Sequence, residues 1–499
     1  VPQIQDATIL FPSQAAVSEK LRALTPARTA FALVVAASLL HLLAAGRVAF
    51  SVDEAHYALY GLFPDWSYFD HPPMVGWLQA LVIPFSHAEL ALRLWPVAIA
   101  ALASLALYRL TEALFAGESP WLPAVAVAAL QSAVLFQFLS LALVPEDPLL
   151  LFGLLGALQF HRALQSDGLR HWLLLGLVLG LAGLSKYTAV VLVLSIVAVL
   201  VAERRLALLR RPGPWLAALA GLALVTPVFF WNAQHEWISL AYQWGHGAPA
   251  RSWSVVRFLR STAGQVLAFG GVAVFGTIAL TAAIREWRHP GVRFSLLFAG
   301  PALLVFAWSA GFEETLPHWT LLGWALAMPV TARWIAGRWA GSRAVRIGVR
   351  TAVVYALLLV LAVHAQFIRP WVPFAPFEHP LADLYGWREA GERARALADE
   401  RQLPLMVGNW THASRLAWYA ERPVQVLDNR VDQFDLWYGL PAQGGSGIVV
   451  LPEKNLKRRN NGLDRFGRCD EADSLTTFLD GQPVHTFFYF ECRDYRGHP

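Results

Sequence analysis

The chain has 499 residues, of which 56% are hydrophobic and only 15% charged, whereas an average soluble protein carries about 25% charged residues. At a mean hydropathy of +0.44 it lacks the polar surface that several soluble domains need. Its 21 tryptophans and the absence of any Gly or Pro period exclude disordered and collagen-like classes. A polytopic α-helical membrane protein remains. The net charge of +5 does not signal a nucleic-acid partner, because the arginines sit in short loops between apolar runs and form no basic stripe interleaved with aromatics. Two cysteines, Cys469 and Cys492, rule out a Cys-based zinc site and a CxxC redox motif.

A membrane helix needs about 20 mostly apolar residues. Eleven runs qualify, near 29–50, 92–115, 121–144, 148–164, 169–185, 187–203, 214–231, 262–284, 294–312, 316–333 and 351–368. Loops of one parity hold 18 Lys and Arg, from Lys20, Arg22 and Arg28 to the group Arg333–Arg350. The other parity holds five: Arg93, Lys186, Arg251, Arg257 and Arg260. By the positive-inside rule the N-terminus is cytoplasmic and everything after the last span is outside. The outer loops also collect the acidic, His and amide residues, so chemistry belongs on that face. The N-terminal stretch is mixed polar and the first apolar run is long enough to stay, so no cleavable signal is expected.

Composition shifts at Pro370, dividing the chain into a membrane part, 1–368, and an outer part, 369–499. Leu384–Glu400 has helical periodicity, a second helix is expected near Thr411–Ala420, and 403–407, 424–427, 447–451 and 484–490 read as strands. This alternation predicts a small three-layer α/β extracytoplasmic domain. Cys469 and Cys492 are either bridged, as an oxidising compartment allows, or two buried thiols; their spacing does not decide.

Four short segments carry possible chemistry. SVDEAHYALY follows the first span: Asp53 and Glu54 are either helix-start residues favoured by the macrodipole or carboxylates held at a low-dielectric edge, able to act as a base or hold a cation. Tyr57 lies in the same stretch. In YFDHPPMVGW, a double proline pins Asp70 and His71 in a rigid turn; an ordinary interfacial loop is the alternative. VPEDP puts Glu146 and Asp147 in a turn too tight for a free loop. LSKYT carries Lys186, which stands alone on the outer face beside Tyr187 and suits an anion such as a phosphate, or else snorkels. Two further polar segments are WNAQHEWISLAYQW, with His235, and FEETLPHW, with His318. Asp70, His235 and His318 are candidate ligands for a divalent cation, though their spacing follows no metal motif. His41 and His364 lie inside spans and are read as interhelical hydrogen bonders.

In this order, Asp53-Glu54 after the first span, FDHPP, Glu146-Asp147-Pro148 and LSKYT resemble the GT-C glycosyltransferases, in particular the branch holding protein O-mannosyltransferases and the lipid A aminoarabinose transferases. WNAQHEW and LPHW are similar to segments of its bacterial members, and the likeness covers most of the chain. It implies a GT-C-like fold and a transferase taking a sugar from a polyprenyl-phosphate carrier. Asp53 would act on the acceptor or help bind it, Asp147 would be its essential partner, and Lys186 would meet the carrier phosphate. The aminoarabinose transferases carry acid-lysine-proline where this chain has Asp70-His71-Pro72. Either the donor head group differs, or another cation, with Arg93 the candidate, takes that role.

The chemistry fits independently. A departing lipid phosphate needs cations, the acceptor hydroxyl needs a base, and one displacement inverts the anomeric centre. The expected catalytic residues are Asp53, Asp147 and Glu54. The expected substrate-binding residues are Asp70, His71, Lys186, Tyr187, Arg93, Glu146, His235, His318 and Tyr57. No cofactor is required, though a divalent cation is possible. The expected partners are a polyprenyl-phosphate-linked sugar, membrane lipids, and a glycolipid acceptor such as lipid A or lipopolysaccharide, with protein Ser/Thr as the alternative acceptor. A transporter is the remoter alternative, since the span centres are nearly free of ionisable residues. The expected location is the bacterial inner membrane, with the C-terminal domain periplasmic.

Overall fold

The computed structural model describes residues 25–247, 252–456 and 461–497. Lys20, Arg22 and Arg251 from the charge sorting, and the N-terminal stretch read as lacking a cleavable signal, lie outside the described residues. Each of the eleven apolar runs contains helix. Five helices are long and apolar enough to cross a membrane: Pro26–Ala45, Glu89–Leu114, Pro212–Gln234, Pro290–Ser309 and Arg343–Ile368. A sixth span is present if the pair Val255–Phe269 and Gly271–Glu286 is counted as one, although the two helices meet at 113°.

Two expected spans are therefore corrected. The run 262–284 bends at Gly270, whose φ of +57° favours glycine and ends the helix. The run 121–144 breaks into Leu122–Gln131 and Val134–Leu139. The first helix stops at Ala45, so Arg47 lies beyond it and joins the smaller charge set. Close helix approach is managed with small residues: a side chain at Gly176 would run into the backbone of Ala217 on the helix Pro212–Gln234.

After Ile368 the chain builds a five-stranded sheet. Its strands are β1 Leu405–Val407, β2 Val424–Val426, β3 Gly447–Pro452, β4 Phe466–Leu479 and β5 Gln482–Tyr495, in the order β2-β1-β3-β5-β4. β2, β1 and β3 are parallel, whereas β3, β5 and β4 are antiparallel. Side chains alternate between faces. Leu405, Val407, Ile448 and Val450 pack under the helices Trp387–Arg401 and Trp410–Ala420. Met406, Val449 and Leu451 form a smaller cluster on the other face with Leu427, Phe466 and Cys492. Both long helices thus cover one face, and the expected three layers are corrected to two full layers with a short cap. β4, too polar to read as a strand, was not expected; it is held by its hairpin with β5. Cys469 and Cys492 are register partners across that hairpin and are disulfide-bonded.

The apolar core under the sheet helices runs on without interruption to Phe50, Ala55, Leu59, Ile83 and Leu92. The C-terminal domain is thereby packed directly on the helix Val52–Leu62 and the start of the span that follows it.

Candidate active site

Ser51 opens the helix Val52–Leu62 with a capping box. Its Oγ accepts from the Glu54 N–H at 3.4 Å, and Glu54 Oε2 accepts from the Ser51 N–H at 3.0 Å. Arg93 clamps the same carboxylate, donating from Nε at 2.7 Å and from Nη2 at 3.1 Å. Its remaining N–H groups go to the carbonyls of Ala45, Val48 and Ala49, so all five donors are taken. Both side chains are buried, where each charge must be fully partnered. Two expectations are corrected here. Glu54 is a helix cap locked in an ion pair, not a free catalytic acid, and Arg93 has no donor left for a phosphate.

Asp53 differs from its neighbour. It is half-buried and, among the described residues, has no hydrogen-bond or ion-pair partner. Burial raises its carboxyl above the usual range, and His318, His56, Glu146 and Asp70 are the titratable groups around it. Asp53, His56, Tyr57 and Tyr60 share one helix face by their spacing of three and four.

The FDHPP turn is held from several sides. Tyr60 donates its hydroxyl hydrogen to Asp70, and the His56 and His71 Nε2 atoms lie 3.8 and 3.9 Å from the Asp70 carboxylate. Burial works to raise the Asp70 carboxyl, but His71, His56 and Tyr60 outweigh it and hold it well below the ordinary value. Burial lowers His71 to about 4, so it is neutral near pH 7, and its Nδ1 is buried without a hydrogen-bond partner. The Tyr57 ring packs edge-on against His71 at 5.7 Å. Tyr60 and Tyr68 stack at 3.6 Å, and a side chain at Gly76 would sit 2.8 Å from the Tyr68 hydroxyl, so only glycine permits the stack there. Ser239 donates to the Tyr68 carbonyl and Gln243 to the Asp70 carbonyl, both at 2.7 Å.

The third cluster gathers around Glu146. Lys186 donates to its carboxylate, and His318 Nε2 lies 3.4 Å from the same oxygen. The Trp319 ring faces the Lys186 ammonium at 5.8 Å. Lys186 is thus paired, not the lone cation expected; Glu146 takes one of its three N–H donors. Asp147 Oδ2 accepts from the Val144 N–H at 2.9 Å. It ties its own turn, and Glu146, not Asp147, is the acid brought to the lysine. The Tyr187 hydroxyl lies 3.2 Å from Ser67 Oγ. His235 stacks on Trp231 at 3.8 Å and bonds that residue's carbonyl. Asp70, His235 and His318 therefore have separate partners, and no group of three or more His, Cys, Asp or Glu suited to a metal ion occurs among the described residues.

The C-terminal domain completes the wall. Ser414 Oγ lies 3.1 Å from His56 Nδ1, Gln433 accepts from the Phe69 N–H at 2.7 Å, and the Tyr419 hydroxyl accepts from the Phe50 N–H at 2.7 Å. Sequence reasoning missed His56, Tyr60, Ser239, Gln243, Ser414 and Gln433. Only His56 and Tyr60 had a signal, their helical spacing from Asp53.

This fold and part of this acidic rim have counterparts among known proteins. Residues 70–231 match the family described as dolichyl-phosphate-mannose-protein mannosyltransferase, a stretch that holds Asp70, His71, Glu146 and Lys186. The crystal structure of ArnT from Cupriavidus metallidurans in the apo state has the same fold, with a TM-score of 0.61 at 16% identity over 94% of this chain and 99% of that one. The same protein bound to undecaprenyl phosphate gives 0.61 at 15% identity over 92% and 97%. No curated protein sequence matches the chain. The resemblance to GT-C glycosyltransferases read from the sequence is borne out, by the family over its segment and by the fold over nearly the whole chain.

Proposed function

We propose that the protein is an integral-membrane glycosyltransferase that moves a sugar from a polyprenyl-phosphate donor to a glycolipid at the outer face of the bacterial inner membrane. The observation that carries this reading is the unpartnered Asp53 carboxylate beside the Glu146–Lys186–His318 cluster. A raised carboxyl suits a general base, whose affinity for a proton must approach the working pH. In the step, the acceptor oxygen bonds to the anomeric carbon and its proton passes to Asp53. The bond from that carbon to the phosphate oxygen breaks with inversion, and the carrier phosphate leaves against Lys186. Neutral His71 and Lys186 orient the phosphate.

Residues sorted to the outer face by charge alone, among them Asp53, Asp70, Glu146, Lys186 and His318, converge on one site. This supports the topology of about eleven spans with 369–499 periplasmic. The undecaprenyl phosphate bound by ArnT supports the donor class. A second reading, transfer to protein Ser/Thr, is favoured by the description of the matched family.

The test is turnover of labelled undecaprenyl-phosphate sugars by the purified protein in lipid, with mass spectrometry of copurifying lipids. Release of undecaprenyl phosphate dependent on Asp53 is expected. No carrier lipid bound and no donor consumed would overturn the reading.

A further inference from the structure

Two hollows adjoin where the C-terminal domain meets the membrane helices. One, about 570 Å³, is lined by Phe377, Asp383, Glu453, Lys454, His485 and Thr486 among others. The other, about 360 Å³, includes Gln366, Trp371, Phe374 and Gln482. Both include His379 and Val484, so they lie side by side along one trough with shared lining. Each lies in the volume range of small-molecule sites.

The trough sits at the level where two spans end. Trp371 donates from Nε1 to the Ala362 carbonyl at 3.2 Å, which folds its ring back along the helix Arg343–Ile368. Gln366, in the last turn of that helix, lies 3.3 Å from His379. At the other end the Leu384 carbonyl accepts from the Ala49 N–H at 3.3 Å, just past the first span. The helix Trp410–Ala420 reaches both the trough and the candidate site. Arg415 donates to the Asp383 carbonyl at 2.7 Å, and the residue before it, Ser414, holds His56.

Its polar end balances charge. Lys454 Nζ donates to Asp383 at 2.6 Å. His485 Nε2 is buried with no hydrogen-bond partner among the described residues, 3.9 Å from the same carboxylate. Burial holds His485 below the ordinary imidazole range, so it is neutral near pH 7. A paired carboxylate and ammonium, a neutral imidazole and the Thr486 hydroxyl, which also meets the Thr476 hydroxyl at 3.1 Å, supply both donors and acceptors. That set matches sugar hydroxyls, which both donate and accept, better than a polyanion. The Phe377 ring, 51% exposed, offers a face for the C–H side of a sugar, and Trp371, 60% exposed, offers apolar surface at the membrane end.

We propose that this trough seats the saccharide head group of a glycolipid, with the sugar among Asp383, Lys454, His485 and Thr486 and the lipid chains beside Trp371. That this lipid is the acceptor rests on the transferase reading; the binding site itself does not.

The test uses the full chain in phosphatidylcholine nanodiscs, with hydrogen exchange read on peptides spanning 377–383 and 484–486. The probes are diglucosyldiacylglycerol, a sugar without phosphate, and phosphatidylglycerol, a phosphate without sugar. Diglucosyldiacylglycerol should protect both peptides and phosphatidylglycerol should not. His485→Ala and Lys454→Ala should each weaken that protection about tenfold, as the loss of one strong hydrogen bond implies. His485 packs against Phe487 at 5.6 Å, so the more exposed Lys454 serves as the variant least able to disturb folding. Equal protection by phosphatidylglycerol, no protection by either probe, or wild-type binding in both variants would overturn the proposal. Glycolipid binding without donor turnover would leave the trough standing and remove the transferase reading, and turnover without glycolipid binding would do the reverse.

Discussion

Ser414 holds His56 across 358 residues of chain, with its hydroxyl oxygen 3.1 Å from the imidazole Nδ1. The other ring nitrogen of His56 then faces Asp70 at 3.8 Å. A side chain of the C-terminal domain thus fixes the ring that fixes the acid of the FDHPP turn. Gln433 adds a second hold on the same turn through the Phe69 N–H. The domain is part of the site's frame, and predictions about the site must include it.

Asp53→Asn should fold and bind a polyprenyl-phosphate sugar as the wild type does, because size and burial are kept. Transfer should fall at least ~100-fold, the low end of a general base's contribution. Steady-state transfer and donor affinity measured together check this. Activity within a few-fold of wild type would shift the base to Glu146 or Asp70.

Arg93→Ala should act on folding. It leaves Glu54 charged and buried without its partner, which costs about 3–5 kcal/mol. Thermal unfolding of the purified protein should show a large drop, and adding Glu54→Gln should recover part of it. Unchanged stability with lost donor affinity would return Arg93 to the phosphate.

Lys186→Ala should cost more stability than a surface lysine does, because Glu146 is left unpaired. The pair Lys186→Ala with Glu146→Gln should regain stability without regaining donor affinity. A double-mutant cycle separates the two effects. If donor affinity is unchanged in Lys186→Ala, the lysine serves Glu146 alone.

Asp432 should make docking of the segment Gln433–Tyr438 pH-dependent. One of its oxygens caps that helix, accepting from the Phe434 N–H at 2.8 Å, and the other is buried without a partner. Burial, then Asp435, pushes its carboxyl up to about 7. The folded chain keeps a proton that an unfolded Asp gives up near about 4. The stabilisation is therefore full at low pH and is lost as pH rises through about 7. The protection factor of residues 430–438, with the intrinsic base-catalysed exchange rate divided out, should fall between about pH 4 and 7, and Asp432→Asn should flatten that profile. A flat wild-type profile would mean that Asp432 stays ionised.

The acidic rim was legible in the sequence because its members carry unusual chemistry: Asp53, Asp70, Glu146 and Lys186 stand out in an apolar chain. Which of two adjacent acids faces the site was not legible. Glu54 and Asp147 are as acidic as their neighbours, and only the capping box, the Arg93 clamp and the Val144 bond turn them away. The pairing of Lys186 with Glu146 was equally hidden, since 40 residues separate them. Apolar runs located the helices, but composition does not report that Gly270 turns one run through a 113° bend, nor that polar β4 is held as a strand by its partner. Ser414 and Gln433 are ordinary residues in an ordinary domain; nothing local marks them.

The Glu54–Arg93 clamp joins residues within the first fifth of the chain, whereas the partners of His56, Phe69 and Phe50 are residues 414, 433 and 419. At ribosomal rates of about 5–20 residues per second, some half a minute separates the two events. For that interval the nascent protein has its helix Val52–Leu62 anchored but its FDHPP turn unbraced. A chain cut short or stalled before residue 410 would carry every acidic side chain of the rim and still lack the wall that aims them. Synthesis of residues 410–433 therefore works as an arming step, and a stop before them yields an inserted but unaimed protein.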